Sequence, residues 1–181
     1  MTDVFFEELT TELRNCIYKK DHSFRYATLA TIGKKSIARL RTVVLRHVSE
    51  DLQLTIYTDS RTKKIAHIKE NNQVSLLLYH PEKLLQLKIE GTAQIVTDEK
   101  RLNTYWNIVQ SNSRKEYSAD ISPGSEIKTP DQVEYMKENH YFAMIDILPK
   151  TIEYLKLKRP NHIRVLFEKE NSGWESTFLV P

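Results

Sequence analysis

Cations and hydroxyls gather at two places in the chain where a phosphate ester would find donors. Arg39, Arg41 and Arg46 lie within one largely apolar run, and Arg61, Lys63 and Lys64 follow the next. Arginine and lysine are the usual donors to phosphate oxygens, and a guanidinium can bind two of them at once. Thr62 adds a hydroxyl where a short helix begins. A helix start brings unpaired backbone N–H groups and the positive end of its dipole. Tyr57 and Thr58 end the run before this basic turn, and Gln86 falls on the strand face opposite Leu85, Leu87 and Ile89. A phenol, an amide and a phosphate cradle at strand ends suit a flat heteroaromatic ligand with a phosphate tail. Taken singly, the same residues also serve as a solvated barrel rim, a surface glutamine, a barrel tyrosine or a strand-terminal threonine.

Other chemistries find less support. His22, His47, His67, His80, His140 and His162 form no HxH or HxxxH pair, so no zinc site is expected. Cys16, the single cysteine, lies on an apolar helical stripe and reads as a buried structural thiol. Four glycines do not write a GxGxxG or a Walker loop, and no GxSxG occurs. The 27 basic and 24 acidic residues nearly cancel, to a net +3, which does not mark a nucleic-acid binder. No apolar run approaches the roughly 20 residues of a membrane helix, and no signal peptide is visible, so a cytoplasmic location is expected.

The elements that must position the basic cluster follow from periodicity. Val4, Phe5, Leu9, Leu13, Cys16 and Ile17 share one face, predicting an amphipathic helix over residues 2–20. From Phe24 to Val96 the runs FRYATLATI, IARLRTVVLR, LQLTIYT, VSLLLY and LLQLKIEGTAQIV read as strands. Ile65 and Ile68 give the segment between the third and fourth runs one apolar face, a short helix stopped by Asn71 and Asn72. Asp98 caps a helix whose Leu102, Tyr105, Trp106 and Val109 form a stripe. Residues 111–128 read as a long exposed loop, and Thr129–Gln132 as a capping box starting a helix to about Glu138. HYFAMIDIL, KTIEYLKL, HIRVLFEKE and WESTFLV supply the last strands, with Asn171-Ser172-Gly173 turning the final hairpin. Eight or nine short strands without long crossovers predict an α+β chain: one domain over residues 1–181, an antiparallel barrel with an N-terminal helix (1–22) and a helical and loop insertion (97–139).

The ordered motifs RTVVLR (41–46), IYT (56–58), TKK (62–64), ENN (70–72) and QLKIEG (86–91) resemble the pyridoxamine 5'-phosphate oxidase family of FMN-binding split barrels. IEYL (152–155), HIR (162–164) and a tryptophan near the C-terminus follow that family's last hairpin, so the likeness covers nearly everything after Phe24. The resemblance implies that FMN is lined by Arg41, Thr42, Val43, Val44 and Arg46. It sets Tyr57 and Thr58 against the flavin, gives its phosphate to Thr62, Lys63 and Lys64, and brings Gln86 to the isoalloxazine ring. Arg164 matches an arginine that reaches the partner subunit's flavin, implying a homodimer with FMN at the subunit interface. Arg41 and Arg46 lie five apart, so a regular strand points them to opposite faces, and a bulge is needed to bring both to one flavin.

Departures from the pattern bear on activity. Arg46 and Lys63 swap arginine and lysine with the family's usual residues, and Leu155 replaces an aromatic. Where the true oxidase has R-x-H for its substrate, this chain has Pro160-Asn161-His162, and Val109 takes the place of an arginine that grips the substrate phosphate. FMN binding therefore transfers, and pyridoxamine phosphate oxidation does not. The leading expectation is an oxidoreductase acting on an unnamed small molecule, with Tyr105, Arg114 and His162 as candidates for touching it. His162 also reads as a surface histidine, and Tyr105 and Trp106 as a helix core face. The competing expectations are a non-catalytic FMN-binding or electron-carrying protein and, with little support, a barrel for single-stranded nucleic acid.

Overall fold

In a computed structural model, the backbone of residues 1–181 and every side chain except that of Lys34 are described. Strict alternation of buried and open residues along Gln73–His80 and Leu85–Ile95 gives strands with one face inward. With Tyr26–Ile32 (β1), Ala38–Val48 (β2), Leu54–Asp59 (β3) and Phe142–Lys156 (β6), these strands (β4 and β5) form an antiparallel sheet. Its order is β3-β2-β1-β4-β5-β6, and β3 also pairs with β6, so the six strands close into a barrel and leave no free edge between them. Ile163–Glu170 (β7) and Gly173–Leu179 (β8) extend the sheet beyond β6 as a hairpin. This is the expected split barrel.

Leu29, Leu45, Ile56, Leu76, Leu87, Ile89 and Ile145 fill the interior. Helix Asp3–Tyr18 (α1) adds Leu9, Leu13 and Cys16 to that core, and its Phe5 and Phe6 pack on Tyr154, Phe167 and Trp174. Helix Lys63–Glu70 (α2) buries Ile65 and Ile68. Helix Glu99–Ile108 (α3) starts at Asp98, whose carboxylate accepts the Arg101 N–H. Its stripe packs outside the barrel, where Leu102, Tyr105, Trp106 and Val109 meet Tyr117, Phe142 and Met144 in a second cluster. Among the described residues, no helix is long and apolar enough to cross a membrane.

Three local expectations are corrected. The segments read as two strands, HYFAMIDIL and KTIEYLKL, are one 15-residue strand, β6. Pro149 does not end it, because the register shifts at Glu90/Gly91 and Pro149 lies opposite Gly91. Residues 111–128 are anchored: helix Ser111–Arg114 (α4) leads to buried Tyr117 and Ser118, and Ala119 bridges to Tyr135. That bridge also explains the third difference. The capping box yields only a turn at Pro130–Gln132, since Tyr135 leaves the helical path to pair with Ala119. Gln132 then accepts from the Lys128 N–H instead of capping.

Candidate functional site

The candidate site lies on the outer face of β2 and β3. Val43 and Leu45 point into the core, and Thr42 and Val44 point out. Leu45 pairs with Ile56 and His47 with Thr55, so Arg46 is the extra residue of a β-bulge. Arg46 stands 5.6 Å from the centre of the Tyr57 ring, and its Nε is buried without an acceptor. Tyr57 is packed at 6.1 Å from Tyr105 and 5.0 Å from Phe142. Burial, helped by Tyr105, pushes its phenol up to about 12, so it stays a neutral donor. Burial raises Tyr117 in the same direction.

At the end of β3 the chain builds an anion cradle. Lys64 Nζ donates to Thr58 Oγ1 at 2.8 Å and to Thr62 Oγ1 at 3.4 Å, and those hydroxyls lie 3.2 Å apart. Burial and the charge of Arg41 lower the Lys64 pKa, with Asp59 opposing them. The ammonium therefore has only neutral hydroxyls for direct partners, and an incoming dianion would restore its affinity for the proton. Asp59 itself is neutralised: Arg61 meets it at 2.7 and 3.1 Å, and also donates to the carbonyls of Ala119 and Asp120. Arg61 also lies 3.4 Å from the centre of the Tyr141 ring. It is thus a strap holding the insertion, not a free phosphate donor of the basic cluster.

A cavity of about 270 Å³ gathers eight of the residues singled out from sequence. Thr42, Val43, Val44 and Arg46 line it from β2, and Tyr57, Thr58, Thr62 and Lys64 line it from β3 and the start of α2. Tyr117 and Pro123 close it from the insertion. Sequence reasoning missed this wall; the available signal was Tyr117, the lone aromatic in residues 111–128.

Arg41 and Lys63 line a neighbouring cavity of about 570 Å³ with Arg39 and His67. Arg41 donates to Leu29 O at 3.2 Å and Thr31 Oγ1 at 2.7 Å. The bulge exists, but it lies at Arg46 itself and leaves Arg41 on the inward parity of Val43 and Leu45, so the two arginines share no cavity. Gln86 and Arg164 stand elsewhere. Gln86 pairs with Leu155, which pairs with Arg164, and Arg164 meets Glu153 at 2.9 Å. In the closed order β5 lies three strands from β2 in either direction, on the opposite wall.

Of the substrate candidates, Tyr105 adjoins Tyr57. Arg114 caps α3, donating to the carbonyls of Val109, Trp106 and Asn107. His162 is exposed and accepts from the Lys158 N–H. Glu12, His22 and His80 converge although their spacing gave no hint of it. His22 Nδ1 accepts from the Phe24 N–H, which places the His22 proton on Nε2, 3.2 Å from Glu12. Lys83 occupies the other Glu12 oxygen. The group is therefore a charge clamp between α1 and the barrel, in which Lys83 bonds Glu12 Oε1 while His22 and His80 approach Oε2 at 3.2 and 4.0 Å.

Comparison with known proteins bears on the fold and the family. A pyridoxine/pyridoxamine 5'-phosphate oxidase of Aliarcobacter butzleri is 25% identical, over 97% of this chain and 89% of its own length. The fold matches a pyridoxamine 5'-phosphate oxidase-related, FMN-binding protein of Nostoc punctiforme with a TM-score of 0.78, at 21% identity and 96% coverage of both chains. It matches PhzG of Burkholderia lata, solved with tetrahydrophenazine-1-carboxylic acid, with the same TM-score at 17% identity, covering 97% of this chain and 92% of that one. The model of the pyridoxamine 5'-phosphate oxidase FMN-binding domain matches residues 4–97, just over half of the chain. The chain therefore belongs to the pyridoxamine 5'-phosphate oxidase FMN-binding domain family, and its cofactor is FMN.

Proposed function

We propose that the protein is an FMN-dependent oxidoreductase for a small molecule, working as a homodimer whose two copies share each flavin site. The observation that carries this reading is the pair of unmet cations flanking Tyr57: Lys64, bonded only to hydroxyls, and Arg46, whose buried Nε has no acceptor. Lys64, Thr58 and Thr62 would hold the phosphate, with Arg41 adding field. Arg46 and Tyr57 would donate to the polar edge of the ring system, where a fixed guanidinium favours accumulating negative charge. When bound, FMN supplies two-electron chemistry through its N5 atom. The chain's own residues hold, orient and electrostatically bias; no side chain acts as an obligatory acid or base.

Sharing between copies is supported by the sheet. Leu40, Tyr26, Leu77 and Tyr79, between 42% and 68% exposed, lie on the outer faces of adjacent β2, β1 and β4. This sheet face, where those exposed apolar side chains alternate with Thr28, Thr42 and Ser75, is the association surface of this reading. It separates the cradle from Gln86, so a two-fold axis through it would bring a second copy's Gln86 and Arg164 towards this copy's Arg46. Leu77→Glu with Tyr79→Glu should give monomers by light scattering and weaken FMN; monomers with full FMN affinity would refute a shared site.

The activity test is anaerobic. FMN-loaded protein is mixed with pyridoxamine 5'-phosphate, pyridoxine 5'-phosphate or reduced nicotinamides, and bleaching of the flavin band is followed. Reduction by one donor, with product formed, supports the oxidoreductase. A second reading, a non-catalytic flavin carrier, is favoured by Arg114, whose guanidinium is spent on α3 carbonyls. Flavin that dithionite bleaches and no organic donor does would select the carrier.

A further inference from the structure

A second cavity, of about 230 Å³, adjoins the phosphate cradle and shares Arg46, Tyr57 and Tyr117 with it. One wall is apolar, built from Ile17, Leu45 and Val109. The charge comes from the segment joining α1 to β1, through Lys20 and Arg25. Val109, on the facing α3 side, contributes none.

The balance of charge is one-sided. Three cations line this cavity and no carboxylate does. Among the described residues, Lys20, Arg25 and Arg46 have no acidic partner within ion-pair distance. Arg25 makes one long donation, 3.4 Å to Ile17 O, which leaves most of its guanidinium fork unspent. Unpaired cations converging on a partly apolar concavity raise the local potential for an anion, and low-dielectric walls focus it. The size is below the roughly 300–1,000 Å³ of drug-sized sites, so the body attached to that anion is small.

We infer that this cavity selects a small molecule with an anionic group, a carboxylate or a phosphate, and that Arg25 and Lys20 are its specificity-determining residues, acting with Arg46. The inference rests on the flavin reading: Arg46, Tyr57 and Tyr117 form the partition between the two cavities, so a molecule held by Arg25 abuts the flavin side. The grip on substrate then comes from the segment after α1, where neither Val109 nor Arg114 can provide it.

The test is isothermal titration of the FMN-loaded protein with benzoate, inorganic phosphate and benzamide at low salt. Excess FMN keeps Lys64 occupied, and sensitivity to Arg25→Gln separates phosphate in the second cavity from phosphate beside Arg39, Arg41 and Lys63. One anion should bind at one per chain, while benzamide, the uncharged isostere of benzoate, should not. Benzoate binding names a carboxylate, and phosphate binding a phosphate ester. Arg25→Gln and Lys20→Gln should each weaken the anion roughly 10-fold or more, with FMN affinity held. Lys20 is exposed, so its variant keeps the test alive if Arg25→Gln fails to fold. Benzamide binding as tightly as benzoate, no anion bound, or anion binding indifferent to both substitutions would overturn the inference. Benzoate binding that is sensitive to Arg25, in a protein that takes up no FMN, would uphold the anion cavity and sink the flavin reading.

Discussion

Lys64→Ala should separate FMN from riboflavin. The ammonium sits 2.8 Å from Thr58 Oγ1 and 3.4 Å from Thr62 Oγ1, at the start of α2, where backbone amides have no helical partner. A hydrogen bond to a charged group contributes about 1.5–3 kcal/mol net. At about 1.4 kcal/mol per decade, losing the ammonium should weaken FMN roughly 10- to 150-fold. Riboflavin, with the same ring and no phosphate, should bind the variant nearly as well as the parent. Quenching of flavin fluorescence during titration gives both constants in one buffer. The pH dependence is a second signature. Burial and Arg41 lower the Lys64 pKa, so FMN affinity should fall as pH rises through that lowered value, and riboflavin affinity should not. Equal losses for the two flavins would refute the assignment, because the lysine would then be supporting the ring or the fold.

Gly91→Ala places a Cβ 2.1 Å from Leu148 O and 3.0 Å from Pro149 Cα, both backbone, so β5 and β6 must part. Overpacking of this kind costs about 1–3 kcal/mol, or roughly 2–4 °C in Tm per kcal/mol; an unchanged melt would refute the close approach. Burial lowers the His22 pKa from 6.5, with His80 and Lys83 adding to it and Glu12 opposing. A depressed histidine contributes stability that is complete above the unfolded value and lost as pH falls from 6.5 towards the folded one. His22→Gln should flatten that acid slope in thermal melts, and an identical slope would discard the clamp. Arg61→Met strands the buried Asp59 carboxylate and should cost about 3–5 kcal/mol in urea unfolding. Asp59→Asn in the same chain should recover much of it; no recovery would mean that the strap to Ala119 and Asp120, not the ion pair, carries the effect.

What was legible in the sequence was local. The α1 stripe, the Asp98 cap, the short α2 and the final hairpin each depend on residues within a few positions, and each formed near its expected bounds. The cradle was legible for the same reason, since Thr58, Thr62 and Lys64 converge through one turn and one helix start. The misreadings share the opposite cause. Thr129–Gln132 has the composition of a capping box, but the pairing of Tyr135 with Ala119 decides its fate. Pro149 looks like a strand end until Gly91 opposite supplies the gap. Glu12, His22 and His80 are distant in sequence and meet only because α1 crosses the barrel. Arg61 was counted with the phosphate donors because charge alone does not reveal that Asp59, two residues away, claims it.

Arg46 shows how one local irregularity links two functions. Through Leu45 the strand alternates regularly, with Val43 and Leu45 in the core and Thr42 and Val44 outside. The bulge then sets both Arg46 and His47 on the outer side and returns Val48 to the core opposite Leu54. Without the extra residue, His47 would turn inward and Val48 outward, trading an aliphatic core contact for a buried imidazole. The bulge thus protects the core while keeping Arg46 at the partition, in reach of both cavities. A guanidinium has five donors in a fixed fork, enough to serve the flavin edge on one side and an anion on the other. On this reading the phosphate end is completed within one chain by local sequence. The ring end depends on the bulge, on the segment after α1 and on a second copy, so substitutions there should change what the flavin acts upon before they change whether it is bound.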